Sequence, residues 1–191
     1  MNTNAMAIPA VLCLAALGGP GSGDGERRTL DLAVEVQGIP CQRGHAWFDE
    51  AGRLTSCALS RAATIRGAEL PSGSWVSLRS DGALAYVFLP GDTRIQGHLC
   101  RGQGHDFMTT FHPGGALELC WLAEAEQIQG VPCGRATFIA DVFGGGAGTY
   151  FHENGKLAGC KLSRDATLEG RPFRRGDHVR IDPNGKLVLP D

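Results

Sequence analysis

Seven cysteines and six histidines are the side chains here best suited to chemistry. A thiolate can attack a carbonyl, bind a soft metal or couple into a disulfide, and an imidazole can act as base or ligand. The densest stretch is His98-Leu99-Cys100-Arg101-Gly102-Gln103-Gly104-His105, with His112 beyond it. Two imidazoles and one thiolate could hold a transition metal there, but no second ligand pair has zinc-type spacing. His112 and His152 fall where other copies of a repeat carry Asp49, Arg79 and Asp182, which reads as a tolerant, exposed turn position. Asp24, Asp31, Asp141 and Asp165 are scattered, with no pair spaced for acid–base work. The Gly-x-Ser-x-Gly elbow, the phosphate loop and His-Glu-x-x-His are all missing. No catalytic residue, metal or cofactor is expected.

The cysteines instead follow a repeat. Gly52, Gly82, Gly115, Gly155 and Gly185 are each followed two residues later by a leucine: Leu54, Leu84, Leu117, Leu157 and Leu187. Five residues after each glycine stand Cys57, Val87, Cys120, Cys160 and Pro190. Thirteen after, four copies have Ile65, Ile95, Ile128 and Leu168, each with a glycine two positions on. Cys41, Cys100 and Cys133 lie five after Val36, Ile95 and Ile128, where the second and fifth copies have Leu70 and Phe173. The two cysteine positions are therefore filled together or vacated together. Joint loss is how bonded partners behave, because an orphaned thiol mispairs under oxidising conditions. Of 15 possible pairings, the register predicts Cys41–Cys57, Cys100–Cys120 and Cys133–Cys160. The rivals are Cys120–Cys133 across a unit boundary, and reduced cysteines acting as small apolar fillers.

One register kept over five copies implies units that cannot close a core alone and must stack. The windows at 48–54 and 151–157 read as hairpins whose glycine supplies the positive φ of a type I turn with a G1 bulge. Phe48 then faces Leu54, and Phe151 faces Leu157. Leu30, Leu32, Val34 and Val36 alternate with Asp31, Ala33 and Glu35, a half-buried strand that could cap the stack. Strict alternation puts Leu54 and Cys57 on opposite faces, so either a bulge intervenes or both faces are covered. Residues 117–126 favour helix by propensity, yet their register matches a strand and turn in the first copy. The expected fold is all-β, about five stacked β-hairpins as a solenoid or open single-sheet array, with units near 36–64, 65–94, 95–127, 128–167 and 168–191. The longest interval holds an insert rich in glycine at Gly144, Gly145, Gly146 and Gly148. Such inserts map to one face, often the binding face; a tolerated longer hairpin is the plainer outcome.

Composition agrees. The chain has 191 residues, 42% hydrophobic, and its 28 glycines sit at repeat positions, which suits turn-rich β structure. A net charge of -2 leaves nothing to hold a phosphate backbone, so nucleic acid is excluded as a partner. Arg171, Arg174, Arg175 and Arg180 cluster, but Asp177 and Asp182 interleave them as on a solvated face. Residues 1–23 carry no charge, and the apolar run at 5–17 is the size of a signal-peptide core, too short for a membrane span. Ala16-Leu17-Gly18 offers a cleavage site; Pro9 and the lack of Lys or Arg speak against it. A retained anchor, lipidation at Cys13 or an unprocessed arm are the alternatives. No transmembrane segment is expected once the leader is removed.

The aromatic-x-x-x-Gly-x-Leu window at 48–54, 111–117 and 151–157 resembles the variant MORN repeat of bacterial proteins. The resemblance spans about seven residues per unit; the longer unit and paired cysteines depart from it. It implies stacked hairpins in an interaction or envelope-associated scaffold, with no catalytic residues to carry over. The sequence thus points to a secreted or periplasmic, cell-envelope-associated, non-catalytic scaffold with a protein or envelope partner. Trp47, Trp75 and Trp121 are candidate anchors, although tryptophans more often pack in cores. A small hydrolase sited near the glycine-rich insert, or a purely structural envelope protein, are the rivals.

Overall fold

Two kinds of turn alternate along the chain, and together they build every unit. The computed structural model describes residues 25–103, 107–136 and 148–189. The chain enters as β1 (Glu26–Leu30) and β2 (Val34–Val36), followed by the long β3 (Ile39–Phe48) and β4 (Leu54–Leu59). A short hairpin, β5 (Ala63–Ile65) and β6 (Ala68–Leu70), leads into a longer one, β7 (Trp75–Leu78) and β8 (Leu84–Phe88). The third copy repeats this with β9 (Thr93–Ile95), β10 (His98–Cys100), β11 (Met108–Phe111) and β12 (Leu117–Cys120). The fourth has β13 (Glu126–Ile128), β14 (Val131–Cys133), β15 (Thr149–Phe151) and β16 (Leu157–Lys161). The last has β17 (Ala166–Leu168), β18 (Arg171–Phe173), β19 (His178–Ile181) and β20 (Leu187–Val188). Among the described residues there is no helix.

The long hairpins join edge to edge in one antiparallel sheet, ordered β1-β3-β4-β7-β8-β11-β12-β15-β16-β19-β20, with β2 also on β3. Each turns through the G1 geometry. Gly52 N–H donates to Asp49 O at 2.9 Å, Asp49 N–H donates to Arg53 O at 2.9 Å, and Gly52 has φ 73°. Phe48 faces Leu54, Phe111 faces Leu117 and Phe151 faces Leu157, as the repeat predicts. The Asp49 carboxylate accepts the Arg53 N–H, then its guanidinium, and is held below the ordinary carboxylate range; Asp182 is lowered likewise, first by the Lys186 N–H. That contribution to stability is complete above the ordinary carboxyl value and is lost as pH falls through the lowered one.

The alternation puzzle has a local answer. Trp47 pairs with Ser56 but Phe48 pairs with Leu54, so Thr55 is an extra residue. This bulge returns Leu54 and Cys57 to the same buried face. Ala85, Glu118 and Ala158 are the equivalent extra residues in later copies. The stretch favouring helix forms β12 and a turn, since pairing with β11 and β15 outweighs its weak propensity. Residues 30–36 are not one strand: the chain bends at Asp31 and Leu32, and Leu32 is 65% exposed. β1 instead forms the first edge of the sheet.

Each short hairpin turns on two residues of positive φ, such as Gln96 at 46° and Gly97 at 95°, the type I′ geometry that matches strand twist. The units therefore begin where these hairpins begin, at Ala63, Thr93, Glu126 and Ala166, a few residues before the predicted boundaries. The short hairpins cover one face of the large sheet. Ile65, Leu70, Ile95, Ile128 and Val131 pack there with Leu59, Val76, Val87, Phe111 and Leu157 in a single core.

Polar side chains lock the layers and the copies. In the first turn position, Gln96 donates from Nε2 to Gly115 O at 2.7 Å and accepts the Leu117 N–H at 2.9 Å. Gln37 does the same to Gly52 and Leu54. Gln129 and Glu169 accept from Leu157 and Leu187, and Arg66 donates to Asp81 O. An amide suits both roles because it donates and accepts. Gln96→Ala should cost about 1.5 kcal/mol in urea unfolding and Gln96→Glu roughly half that; a midpoint equal to wild type for Gln96→Ala would refute the clamp.

Between copies, Arg79 Nη2 donates to Phe111 O at 2.7 Å. His112 Nε2 meets Phe151 O at 2.8 Å, and His152 Nε2 meets Ile181 O at 2.8 Å. A carbonyl only accepts, so each imidazole carries its proton on Nε2. The tolerant-turn reading of these histidines is thus corrected: they are half-buried hooks into the next unit. The Asp49 side chain carries no N–H to offer, and its carboxylate turns back to accept from Arg53.

Thr109 and Thr149 are fully buried in the row that elsewhere holds Val76, Val87 and Val179. Neither hydroxyl has a hydrogen-bonding partner among the described residues. Thr149→Val should therefore raise stability by about 1 kcal/mol; a lower unfolding midpoint would show that the hydroxyl is satisfied.

Candidate functional site

Three disulfides tie the short-hairpin layer to the sheet. Cys41–Cys57, Cys100–Cys120 and Cys133–Cys160 have Cα–Cα separations of 5.8, 5.5 and 5.7 Å, the same pairs the register predicts. All six cysteines are at most 1% exposed, and each bond stays within one unit. In the second copy, which lacks the bond, Leu70 and Val87 are buried apolar side chains of the same core. These residues are therefore structural, and their oxidation points to an oxidising environment.

The histidines do not converge. His98 Nδ1 lies 2.9 Å from Glu126 Oε2, whose other oxygen accepts the Leu99 N–H at 2.8 Å. The ring sits 4.6 Å from that of Phe151, so His98 links the short hairpins of adjacent units. His45 and His178 are exposed, and His105 lies outside the described residues. Among the described residues no group of three or more His, Cys, Asp or Glu could hold a metal ion. Of the insert at residues 136–148 only Ala136 and Gly148 are described; a Cβ on Gly148 would strike Leu119 and crowd the Tyr150 ring. The hydrolase alternative on that insert otherwise lies outside the described residues. Arg171, Arg174, Arg175 and Arg180 are all exposed.

What the fold does assemble is the sheet face away from the short hairpins. Alternation along each strand sends one set of side chains into the core and the other outward. Cross-strand pairing lines up Trp47, Ser56, Ser77 and Tyr86, and then Thr110, Leu119 and Tyr150. A parallel line holds Ala58, Trp75, Phe88 and Met108. The Trp47 and Trp75 rings meet edge to face, 5.1 Å between centroids and 73° between planes, and Tyr86 meets Phe88 at 5.7 Å. Met108 and Tyr150 are 36% and 47% exposed, so the strip reaches solvent.

No family model matches this chain. No curated protein and no solved structure matches it either.

Trp121 borders the strip. Its Nε1 donates to Met108 O at 3.0 Å, and it packs with Phe107 and Ala136 in a small cluster apart from the main core. Arg101 stacks on Phe107 at 4.7 Å and donates to Ala136 O at 2.8 Å. Trp47 and Trp75 thus lie on the outer face and Trp121 packs on a small separate cluster; none is in the main core, which corrects the commoner expectation. Ionisable side chains stand at the two ends of the strip: His45 lies beside Trp47, and past Tyr150 the same face continues to Arg180, Lys161 and His178. The carboxylate beside the strip, Glu118, accepts from Thr110 Oγ1 at 3.0 Å, and Arg27 stands beyond Trp47. Rigid aromatic side chains in such a strip can serve as binding anchors. Among the described residues no helix is long and apolar enough to cross a membrane.

Proposed function

We propose that this protein is a non-catalytic repeat scaffold, secreted or held at the cell envelope, that binds its partner through the outward aromatic strip of the sheet. The observation that carries this reading is the alignment of Trp47, Trp75, Tyr86, Phe88 and Tyr150 on the face the short hairpins leave uncovered. Rigid aromatic side chains contribute most of the energy in many interfaces, and a disulfide-tied sheet presents them at little entropic cost. The three disulfides support an extracytoplasmic site, and the resemblance of the hairpin windows to MORN repeats supports a scaffold role.

Co-sedimentation with isolated cell envelopes tests it. Wild-type protein should pellet with the envelope fraction, and Trp47→Ala with Trp75→Ala should lower the bound fraction at least tenfold while the unfolding midpoint stays close to wild type. A double variant that pellets as well as wild type would leave only a structural role, and a protein found in the reducing cytoplasm would end the envelope reading.

A further inference from the structure

The outward face is longer than its aromatic strip, and its charges are segregated. The line through Trp47, Ser56, Ser77 and Tyr86 starts from Arg27 on β1, and past Tyr150 it runs on through Gly159 to Arg180 and Val188. His45 stands beside Trp47, and Lys161 pairs with His178 on the same face. Neither outward line contains an Asp or a Glu, although the chain carries 20 of them and a net charge of -2. Among the described residues no carboxylate forms an ion pair with Arg27, Lys161 or Arg180. Two acids close to these lines are engaged elsewhere: Glu118 accepts from Thr110, and Asp177 turns back to the Arg174 N–H at 2.8 Å.

The cations sit at the two ends and not between them. From β4 to β15 the strands of the path contribute aromatic, aliphatic and hydroxyl side chains to the two lines. Arg27 on β1 and Lys161 on β16 are eight strand spacings apart, about 38 Å along the sheet. A polymer charged at every repeat, such as a nucleic acid or an anionic glycan, would lay most of its charges over rings with no cation to meet them. Covering charges without partners is costly. A second copy of this chain, laid face to face along its length, would set cation against cation at both ends. A protein surface suits the pattern better. Interface centres are enriched in Trp, Tyr, Phe, Met and Arg and depleted in Asp and Glu, and this face has the same bias. Eleven strands with about two outward residues each cover on the order of 700 Å². That is close to the roughly 800 Å² that each partner of a stable protein pair buries.

We infer that the outward face docks a protein segment that is apolar in its middle and acidic at both ends, its acids meeting Arg27 at one end and Lys161 with Arg180 at the other. This rests on the aromatic strip being the binding face, and it specifies the partner's chemistry. Opposite charges steer such a pair together and fix its register, so association weakens as salt rises.

Fluorescence anisotropy on the full disulfide-bonded protein tests it with labelled peptides of about 14 residues, long enough to span the face when extended. The first peptide has three glutamates at each end and a middle of phenylalanine and leucine alternating with serine. The second has the same composition with the glutamates gathered in the middle, the third has lysines for the glutamates, and the fourth is all glutamate. The first should bind saturably and at least tenfold tighter than each of the others. Its affinity should fall at least tenfold as salt rises from about 0.05 M to about 0.5 M. Lys161→Glu with Arg180→Glu should lose at least tenfold, and so should Trp75→Ala, with unfolding midpoints close to wild type. No saturable binding of the first peptide, equal binding of the second or of the all-glutamate peptide, or indifference to the charge reversals would each overturn the inference. Envelope sedimentation separates this from failure of the binding-face reading. Binding that the Trp47 and Trp75 variant loses, but that survives the charge reversals or protease digestion of the envelopes, would keep the aromatic face and remove the acidic protein. Peptide binding without envelope binding would keep the partner's chemistry and remove the cellular setting.

Discussion

Reducing all three disulfides will unfold this protein. The bonds close spans of 16, 20 and 27 residues, which correspond to about 3 to 3.5 kcal/mol each, or about 10 kcal/mol together, in the chain-entropy treatment. A domain of this size is stable by about 5 to 15 kcal/mol in total, so little would remain. The dependence is built into the architecture: Cys100 and Cys133 end the three-residue strands β10 and β14 of the short-hairpin layer, Cys41 lies on β3 where it pairs with the three-residue β2, and such short strands contribute few ladder hydrogen bonds of their own. The sulfurs are buried, so a reductant must wait for the structure to open, and reduction in native buffer should follow the unfolding rate. Urea unfolding with and without reductant measures the effect. Cys133→Ala with Cys160→Ala should lower stability by about 3.5 kcal/mol. A reduced protein with an unchanged midpoint, or free thiols at Cys41 and Cys57 in non-reduced peptide maps, would refute the disulfide account.

Phe111→Ala is expected to be the most damaging single truncation, costing about 4 kcal/mol. Phe111 is wholly buried in a central strand, faces Leu117 across its hairpin, and its carbonyl receives the Arg79 hook from the preceding unit. A cavity there loosens the copies on either side, because stacked units depend on their nearest neighbours. The equivalent position is Leu78 in the second copy and Ile181 in the last, so Phe111→Leu should cost only about 1.5 kcal/mol. Equilibrium unfolding of both variants checks this. A loss below about 1 kcal/mol for Phe111→Ala would mean that the core collapses around the gap.

The parts legible in the sequence were those written by local, repeated constraints. A glycine of positive φ followed by a leucine recurs only where a G1 hairpin needs both, so the hairpins and their Phe–Leu pairs could be read directly. The joint presence and absence of cysteines carried the pairing for the same reason. The residue between the aliphatic side chain and the glycine of each short hairpin carried a signal too: Gln37, Gln96 and Gln129 recur there. It passed unread, because a glutamine at positive φ makes sense only once its partners, Gly52 and Leu54 or Gly115 and Leu117, are in place.

Composition and register alone determined that this chain is an all-β stack of hairpins with three intra-unit pairings, since turn chemistry and strand period act between near neighbours in the chain. Only the tertiary structure decided which face stays open. A one-residue bulge at Thr55, Ala85, Glu118 and Ala158 swaps inside for outside, and that choice is made by what the other layer can cover. It is also what sent the histidines into neighbouring units and the tryptophans to the surface.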